Sequence, residues 1–461
     1  MSELPTGRWR RAAKVGRLAA TQAARQAGTR AANVARSDEA AQRALEQRQI
    51  EAAEQIVAVL GTMKGAAMKL GQVLSFLDVG LVPESHREEF QAKLAELRDA
   101  APKVAFKDMK RVLEESYGEK LDHVFDTFDP VPIAAASIGQ VYRARLHDGR
   151  DVAVKVQYPG VARAVRSDLQ NMGILLRLMK RMAPGLDPDA IGGEIRERME
   201  EELDYELEAA NQRTLARIYR GHPFIVIPDV VTSLSHERVV VSEFVQGRRF
   251  EELESASQEE RDAVGEVIFR FYFGTMYRHR QFSGDPHPGN CLVLDRDGPL
   301  PRMAFLDFGL FKRISDEAAE FELETQRLGI EGRAEELIDH MHRGGWISDP
   351  SRYTHESILE QFEDLVGWYT IDADIQLTPE LATEVLIQMG DPRSRHFDTM
   401  RRETLPADHL FGRRLETLTL AVLSQLRACN NWNAIAREWI YGDAPRTELG
   451  RQEAEFYAAR R

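Results

Sequence analysis

The sequence predicts an α+β protein in which a small β-rich segment is followed by a larger helical segment. Three observations support this prediction. Two β-rich runs meet at an Asp-Gly turn in "IGQVYRARLHDGRDVAVKVQY". Strand signals return in "FIVIPDVV" and "RVVVSEFV". Nearly everything beyond Asp316 has helical periodicity with short breaks.

The length and composition indicate a soluble globular protein of two or three domains, or of one large bilobal unit with extensions. The chain has 461 residues, of which 43% are hydrophobic and 29% charged. Two cysteines, Cys291 and Cys429, are too few for a disulfide scaffold or a cysteine metal site, and they fit a reducing, cytoplasmic interior. We find no apolar run long enough to span a membrane, and the N-terminus lacks the apolar core of a secretion signal.

Charge is distributed unevenly along the chain. Residues 1–50 carry ten basic and four acidic residues, a net charge of +6, which leaves −19 for the rest of a chain whose total is −13. An acidic body disfavours nucleic acid as a partner. The basic, Ala-rich stretch "RWRRAAKVGRLAATQAARQAGTRAANVAR" is compatible with a helix on an anionic membrane surface, a targeting segment or a solvated tail.

The order of these patterns predicts five segments. A period near 3.6 residues over 47–78, a break at "LVPES", and further helical patterns up to Tyr117 indicate a helical extension. Helical patterns near 161–182 and 189–219 interrupt the β-rich part, and another covers 258–280. The predicted segments are a basic tail (1–46), an N-terminal helical extension (47–118), a β-rich lobe with a helical insertion (119–246), a helical lobe (247–345) and a C-terminal helical extension (346–461). A cleft between two such lobes is a natural nucleotide site.

The stretch "VAVK" ends at Lys155 on the second strand of the predicted hairpin. Strand alternation places Ala153 and Lys155 on one face. A cation on a strand can contact the α- and β-phosphates of a nucleotide. The alternative is a surface lysine on an edge strand.

Upstream, "AAASIGQV" stands where a phosphate-covering glycine loop is expected. Alanines occupy the first two glycine positions of the G-x-G-x-x-G-x-V pattern, and the third glycine, Gly139, is kept. Because alanine resists positive φ, we expect a stiffer loop that cradles phosphates differently. The alternative is a tight entry into a strand. The candidate residues are Ala134, Ala135, Ala136, Ser137, Ile138 and Val141.

Two further stretches supply candidate nucleotide contacts. In "EELDYELEAAN", placed on one long helix, Asp204 and Glu208 share a face while Glu202 points elsewhere, so one carboxylate could orient Lys155. The alternative is an acidic, solvated helix face. In "VVVSEFVQG", the backbone of Glu243 and Val245 could bond an adenine edge where a strand ends. A strand that simply runs into a turn fits this stretch equally well.

The strongest chemical signal is "GDPHPGN" followed by "DFG", which a hairpin of "NCLVL" and "MAFLDFG" would bring together. Asp285 can accept a hydroxyl proton or position a nucleophile. Asn290 and Asp307 supply the hard oxygen ligands that Mg²⁺ prefers. His287, between two prolines, is expected to pack the loop rather than act as a base.

In this order the motifs resemble the ABC1/UbiB/Coq8/ADCK family of atypical protein-kinase-like proteins, from about residue 50 to at least 315. The most diagnostic match is "KLGQ", with Lys69 and Gln72. The resemblance implies a bilobal protein-kinase-like α+β fold that binds ATP or ADP with Mg²⁺. It also implies that the K-x-G-Q helix folds over the active site, with Lys69 near the Glu202/Asp204 pair. Glu208 then remains as the partner of Lys155, although its assignment against Glu202 stays open.

The family is tied to isoprenoid quinone biosynthesis and lipid homeostasis at membranes. After "DFGLFKRIS" the chain has no A-P-E signal, which favours an ATPase or a small-molecule or lipid-linked kinase. The resemblance implies a lipid or isoprenoid ligand and a peripheral membrane contact through the basic N-terminus. A nucleotide-gated pseudokinase module without turnover is the alternative, and a protein kinase is third.

Overall fold

The computed structural model of the chain describes residues 104–167, 169, 193, 196, 199–294, 300–389, 394–400, 403 and 407–460. These residues form two compact units. The first contains the described residues up to Leu207 together with Val231–Glu243. The second contains Glu208–Val230 and the described residues from Phe244 onward. The predicted tail, the helical patterns before Pro102 and most of the helical insertion lie outside the described residues, although residues 161–167 are helical as predicted.

Strands and helices are numbered separately in chain order. The strands are β1 (Thr127–Phe128), β2 (Ala134–Ala135), β3 (Gly139–Arg145), β4 (Asp151–Gln157), β5 (Ile225–Val226), β6 (Val239–Glu243), β7 (Arg248–Arg249), β8 (Gln281–Ser283), β9 (Cys291–Leu294), β10 (Arg302–Phe305), β11 (Phe311–Arg313), β12 (Ile375–Gln376) and β13 (Cys429–Asn430). The helices are α1 (Phe106–Tyr117), α2 (Leu121–Val124), α3 (Tyr205–Tyr219), α4 (Gln258–Phe269), α5 (Thr275–His279), α6 (Asp316–Ile330), α7 (Ala334–Arg343), α8 (His355–Thr370), α9 (Pro379–Gln388), α10 (Phe397–Met400), α11 (Ala407–Leu426), α12 (Trp432–Ile440) and α13 (Glu448–Ala458).

The first unit is built on an antiparallel sheet in the order β1-β3-β4-β6, with β2 also paired to β3. β3 and β4 pair along their whole length, which places Val141 opposite Lys155. Their connecting turn is closed by a hydrogen bond from Leu146 N to Arg150 O, and Gly149 adopts a φ of 89° there. Glycine adopts this left-handed conformation without steric cost. The predicted Asp-Gly hairpin is therefore confirmed.

Side-chain alternation along β4 sets the two faces of this sheet. Val152 and Val154 are fully buried, whereas Ala153 and Lys155 on the other face are half-buried. Helix α1 packs against β4 and contributes Met109 to the core. Because helix α1 covers the apolar face, Ala153 and Lys155 lie on the opposite face of the sheet.

The second unit contains a sheet in the order β5-β10-β9-β7, in which β5 is parallel to β10 and the other pairs are antiparallel. The pairing of β9 with β10 confirms the predicted "NCLVL"/"MAFLDFG" hairpin. A separate ladder joins β8 to β11, with Phe282 opposite Lys312. Asp285 and Asn290 lie between β8 and β9, and Asp307 lies between β10 and β11. The two ladders therefore fix both ends of both loops.

The helical prediction for 258–280 is confirmed, with one irregularity. Helices α4 and α5 are joined by a π-helical turn, Arg270–Gly274. Such turns are rare and accommodate local irregularity within a helix. Here the side chain of Arg270 is fully buried.

The described residues beyond Asp316 are mostly helical with short breaks, as predicted. Hydroxyl side chains cap these helices in the expected way: Ser315 accepts from Ala318 N at the start of α6, and Thr378 accepts from Leu381 N at the start of α9. The small β12–β13 ladder was not predicted. Within the ranges that the structure describes, no helix is both long enough and apolar enough to cross a bilayer.

Candidate functional site

The "GDPHPGN" loop of the second unit is held by its own backbone and side chains. A short 3₁₀ turn covers Pro288–Asn290, and His287 Nδ1 accepts a hydrogen bond from Gly289 N at 3.0 Å. Asn290 Nδ2 donates to Asp285 O at 3.4 Å. His287 therefore stabilises the loop, as expected from its position between prolines. The amide nitrogen of Asn290 is used within the loop, which leaves its side-chain oxygen as the atom suited to a metal.

Three hydrogen bonds join this loop to the "DFG" segment. Leu306 N donates to Asn290 O at 2.9 Å, and Gly284 N donates to Leu310 O at 2.8 Å. Ser283 Oγ donates to Asp307 O at 3.3 Å. Because these bonds lie on both sides of Asp307, they bring the three predicted oxygen-bearing residues of this unit into one framework, which we call the loop framework (Asp285, Asn290 and Asp307).

Two residues of helix α3, Asn211 and Glu208, lie next to the loop framework. Asn211 Nδ2 donates to Phe308 O at 3.2 Å. A Cβ placed on Gly309 would lie 3.4 Å from Asp307 Oδ1 and 4.0 Å from Glu208 Oε2. The buried carboxylate of Glu208 and that of Asp307 therefore border the same glycine. Gly309 N also donates to Asp307 Oδ1 at 2.9 Å, which fixes the orientation of this carboxylate.

Buried groups beneath the framework are chemically inert. Burial raises the pKa of Tyr272 well above its ordinary value, and the charges of Asp285 and Asp307 raise it further. Burial also raises the pKa of the Cys291 thiol to about 12. Cys291 is therefore protonated at neutral pH and is not a nucleophile.

Sequence reasoning missed Arg414. This residue lies on α11, in the C-terminal extension, and its Nη2 donates to Asp285 Oδ1 at 3.2 Å. Both side chains are largely buried, with 18% and 17% of their surface exposed. An arginine among many on an amphipathic helix carries no sequence signal for this role. This hydrogen bond fixes the orientation of the Asp285 carboxylate.

The donor set fits a magnesium ion that is shared with phosphate. The described residues contain no group of three or more His, Cys, Asp or Glu side chains arranged to hold a metal. Mg²⁺ is commonly held by one or two protein oxygens, with water and substrate phosphates completing its octahedron. Asn290 and Asp307 can supply those two oxygens. These residues are therefore suited to a magnesium ion that is also bound by phosphate.

In the first unit, the "AAASIGQV" stretch forms a tight hairpin. Ala134 pairs with Val141 and Ala135 with Gln140, and Ala136 N donates to Gly139 O across the turn at 2.9 Å. None of these residues has a positive φ. The hairpin therefore tolerates alanine at the two substituted glycine positions.

Gly139 is needed for space rather than for its backbone conformation. A Cβ at this position would lie 2.3 Å from Val156 O and 2.9 Å from Tyr205 Oη. Contacts this short do not occur in folded proteins, so a larger residue would force the hairpin away from β4. The kept glycine of the motif thus holds the hairpin close to the strand that carries Lys155.

Lys155 lies on the half-buried face of β4, next to Ala153. Its Nζ is 5.1 Å from the centre of the Tyr205 ring, within the range of a cation–π interaction. Ser137, at the tip of the hairpin, donates to the carboxylate of Glu202. Lys155, Ser137 and Glu202 are thus brought into the same part of the first unit, together with Ile138, which is buried.

The prediction of one continuous helix through "EELDYELEAAN" was wrong. The helix is interrupted at Leu203 and Asp204, and α3 begins at Tyr205. Asp204 is an N-cap, since its Oδ1 accepts from Leu207 N at 3.0 Å. It therefore does not share a helix face with Glu208, and the angular argument that separated Glu202 from Glu208 does not hold.

Two bonds from distant residues stabilise this interruption. Gln157 Nε2 donates to Leu203 O at 2.7 Å, and Tyr205 N donates to Glu237 O at 3.2 Å. These bonds satisfy backbone groups that a continuous helix would have paired internally. The pairing of Lys155 with Glu202 or with Glu208 stays a prediction.

The remaining candidates are located as follows. Glu243 is the last residue of β6 and its side chain is exposed, and Val245 follows it in the connection to β7. The end of the strand at Glu243 agrees with the prediction. The adenine contact stays a prediction. Lys69 and Gln72 lie outside the described residues.

Known proteins resemble the chain in sequence and in fold. The sequence pattern of the "ABC1 atypical kinase-like domain" matches residues 96–326. The chain is 30% identical over 298 residues to the mitochondrial atypical kinase coq-8 of Caenorhabditis elegans, covering 64% of this chain and 39% of that protein. It is 33% identical over 260 residues to AarF domain-containing protein kinase 1 of Mus musculus, covering 55% of this chain and 48% of that protein. The chain thus spans about half the length, or less, of these curated relatives.

A solved structure extends the similarity. The chain is 33% identical to Rv3197 in its erythromycin complex from Mycobacterium tuberculosis, and the two structures superpose with a TM-score of 0.63. The match covers 86% of this chain and 97% of that one. The predicted kinase-like α+β fold class is therefore confirmed.

Proposed function

The chain belongs to the ABC1 atypical kinase-like family, and from this premise we propose that it binds ATP or ADP with Mg²⁺ and hydrolyses ATP or transfers its phosphoryl group. We further propose that the acceptor is water, a small molecule or a lipid-linked molecule, in support of isoprenoid quinone or lipid metabolism. The protein would act in the cytoplasm or peripherally at a membrane surface.

The observation that carries this proposal is the loop framework. Asp285, Asn290 and Asp307 come from two loops that are hydrogen-bonded to each other on both sides of Asp307. Phosphoryl transfer requires little covalent chemistry from a protein. It depends on positioned oxygen ligands and a residue that orients the nucleophile. The framework contains both kinds of group.

Each residue has a distinct proposed role. Asn290 and Asp307 would hold the metal, which when bound neutralises charge on the phosphates. Lys155 would contact the phosphates, with Glu208 as its partner. Asp285, oriented by Arg414, would accept a hydrogen bond from the attacking hydroxyl or water and so fix its direction.

The other candidates would act around the nucleotide. The hairpin of Ala134, Ala135, Ala136, Ser137, Ile138 and Val141 would cover the phosphates, and Ala153 would line the same face of the sheet. Glu243 and Val245 would bond the adenine edge through their backbone. Lys69 and Gln72, with Glu202 and Asp204, would restrict access to the site.

The segment after Asp307 supports a non-protein acceptor. Strand β11 follows at once, and only residues 308–315 separate Asp307 from α6. This stretch is too short for a long activation segment, the surface on which protein kinases hold their peptide substrates. ATP hydrolysis, or transfer to a small or lipid-linked acceptor, is therefore favoured over transfer to protein.

Two assays on the same samples separate the proposal from its rival, a pseudokinase module that binds nucleotide without turnover. The proposal predicts a higher melting temperature with MgATP and slow, magnesium-dependent phosphate release. Lys155→Met should lower nucleotide affinity and release, whereas Lys107→Met, an exposed lysine on α1, should change neither. Stabilisation without phosphate release would support the module, and the absence of both effects would refute the proposal.

Two further measurements test the acceptor and the membrane role. Transfer of labelled phosphate to a protein substrate would favour the third reading, a protein kinase. Lipids that co-purify with the intact chain, but not with a chain that lacks residues 1–45, would support a membrane contact through the basic N-terminus. Equal lipid content in both preparations would contradict that contact.

A further inference from the structure

A cavity of about 370 Å³ lies within the second unit, among α6, α7 and α8, and is also lined by Met400, Glu403 and Arg413. None of the residues that line it belongs to the loop framework. An apolar cavity of roughly 150 Å³ holds benzene, so this one has room for roughly fifteen heavy atoms. It is within the size range of small-molecule sites.

The walls are mostly apolar and rich in aromatic rings. Phe321, Trp346, Phe362 and Tyr369 all contribute to them, together with aliphatic and methionine side chains. The faces of aromatic rings carry partial negative charge and attract cations. The cavity therefore suits a ligand with a hydrocarbon body and favours positive charge over negative charge on that ligand.

Two polar atoms of the lining are buried without a protein partner. Gln326 Oε1 and Trp346 Nε1 have no hydrogen bond within the part of the chain that the structure describes. Gln326 is 1% exposed and Trp346 is 9% exposed. A buried polar atom without a partner costs free energy unless a water or a ligand satisfies it.

Glu403 gives the cavity a polar end. Its Oε1 accepts hydrogen bonds from the hydroxyl of Tyr353 and from Gln361 Nε2, the latter at 3.1 Å. Within the described residues its carboxylate has no cationic partner. Burial raises the pKa of Glu403 to about 7, as expected for a carboxyl group without a nearby positive charge.

The guanidinium that borders the cavity is already neutralised. Arg413 pairs with Glu322 and, at 2.8 Å, with Glu416. Among the described residues, the lining and its immediate surroundings thus present three carboxyl groups against one arginine. An anionic ligand would meet the carboxylate of Glu403, which no described cation pairs with, whereas a cationic ligand would neutralise it.

We propose that this cavity binds a protonated aliphatic amine whose ammonium group pairs with the carboxylate of Glu403 and whose hydrocarbon chain contacts the aromatic walls. The site is independent of the proposed nucleotide chemistry. A lysine-like ammonium group remains protonated at pH 8, where Glu403 is ionised.

Three eight-carbon probes that differ only in their head group test the proposal by calorimetric titration at pH 8. Octylammonium should bind most tightly, 1-octanol more weakly, and octanoate most weakly. Glu403→Gln should weaken octylammonium binding at least tenfold and change octanol binding less than twofold. Glu384→Gln, an exposed glutamate on α9, serves as the matched control and should change neither.

A second variant locates the site. Met341→Trp places a larger side chain in the cavity and should abolish the binding of octylammonium and octanol. Three results would overturn the proposal: octanoate that binds as tightly as octylammonium, an amine affinity that Glu403→Gln leaves unchanged, or no binding of any probe. Full octylammonium binding by folded Met341→Trp would also overturn it. If Met341→Trp does not fold, the comparison with Glu403→Gln still decides.

Discussion

Arg270 holds together three acidic residues in the interior of the second unit. Its side chain is fully buried on the π-helical turn and donates to Glu266 at 2.7 Å, Glu438 at 2.6 Å and Glu453 at 2.9 Å. Glu438 belongs to α12 and Glu453 to α13. One guanidinium therefore connects α4 and the π-helical turn to α12 and α13.

Replacing this residue by methionine (Arg270→Met) keeps much of the volume but removes the cation that three buried carboxyl groups share, leaving only Arg278, 3.7 Å from Glu453, beside one of them. Removal of one partner from a buried ion pair costs about 3–5 kcal/mol. For a unit of this size, each kcal/mol lowers the melting temperature by roughly 2–4 °C. We therefore expect a fall of roughly 6–20 °C.

The loss should depend on pH. Although burial alone would raise the pKa of Glu453, the nearby ring of His222, 3.6 Å away, and the charges of Arg270 and Arg278 lower it to about 2. In the native protein its contribution to stability is therefore present above the ordinary glutamate pKa and is lost as pH falls towards 2. In Arg270→Met the lowering by Arg270 is removed and burial acts on all three carboxyl groups. The deficit should then be larger at pH 8 than at pH 5.5.

Thermal melts followed by circular dichroism at both pH values measure this. Arg451→Met is the matched control, because Arg451 is exposed and pairs with Glu448 on the surface at 2.9 Å. It should melt within roughly 2 °C of the native protein. Two results would refute this reasoning. The melting temperature of Arg270→Met could equal that of the control, or its fall relative to the native protein could be the same at both pH values.

Two substitutions test the geometry of the candidate site. Gly139→Ala should lower the free energy of unfolding by about 1–3 kcal/mol in urea titrations, because the new Cβ would lie 2.3 Å from Val156 O; an unchanged midpoint would show that the hairpin is not held against β4. Arg414→Ala should lower kcat for phosphate release roughly tenfold to a hundredfold while KM for ATP changes less than twofold, because Arg414 orients Asp285 rather than nucleotide. An effect on KM alone would assign Arg414 to binding instead.

Local turn chemistry made much of the fold predictable from the sequence. The Asp-Gly turn at Gly149 and the loop that ends at Asn290 are both defined by residues within a few positions of each other. Strand alternation around Lys155 was equally local. A single short hairpin, β9–β10, connects the two loops of the loop framework. The sequence could therefore predict that these two loops lie next to each other.

Long-range contacts account for what the sequence did not reveal. The interruption at Asp204 depends on Gln157 and Glu237, which bind the backbone there from other parts of the chain. Arg414 is 129 residues from Asp285, and no spacing rule connects them. Each of these features depends on which surfaces meet after folding, and periodicity carries no information about that.

Metal binding by the loop framework is the central claim, and it can be measured without turnover. Mn²⁺ is a paramagnetic substitute for Mg²⁺. In the presence of a non-hydrolysable ATP analogue, its electron paramagnetic resonance spectrum distinguishes the protein-bound ion from the ion bound to free analogue. The native chain should bind Mn²⁺ only when the analogue is present, and Asp307→Asn should weaken that binding at least tenfold, whereas Asp339→Asn, an exposed aspartate on α7, should not. Equal Mn²⁺ binding by the native chain and Asp307→Asn would contradict the account.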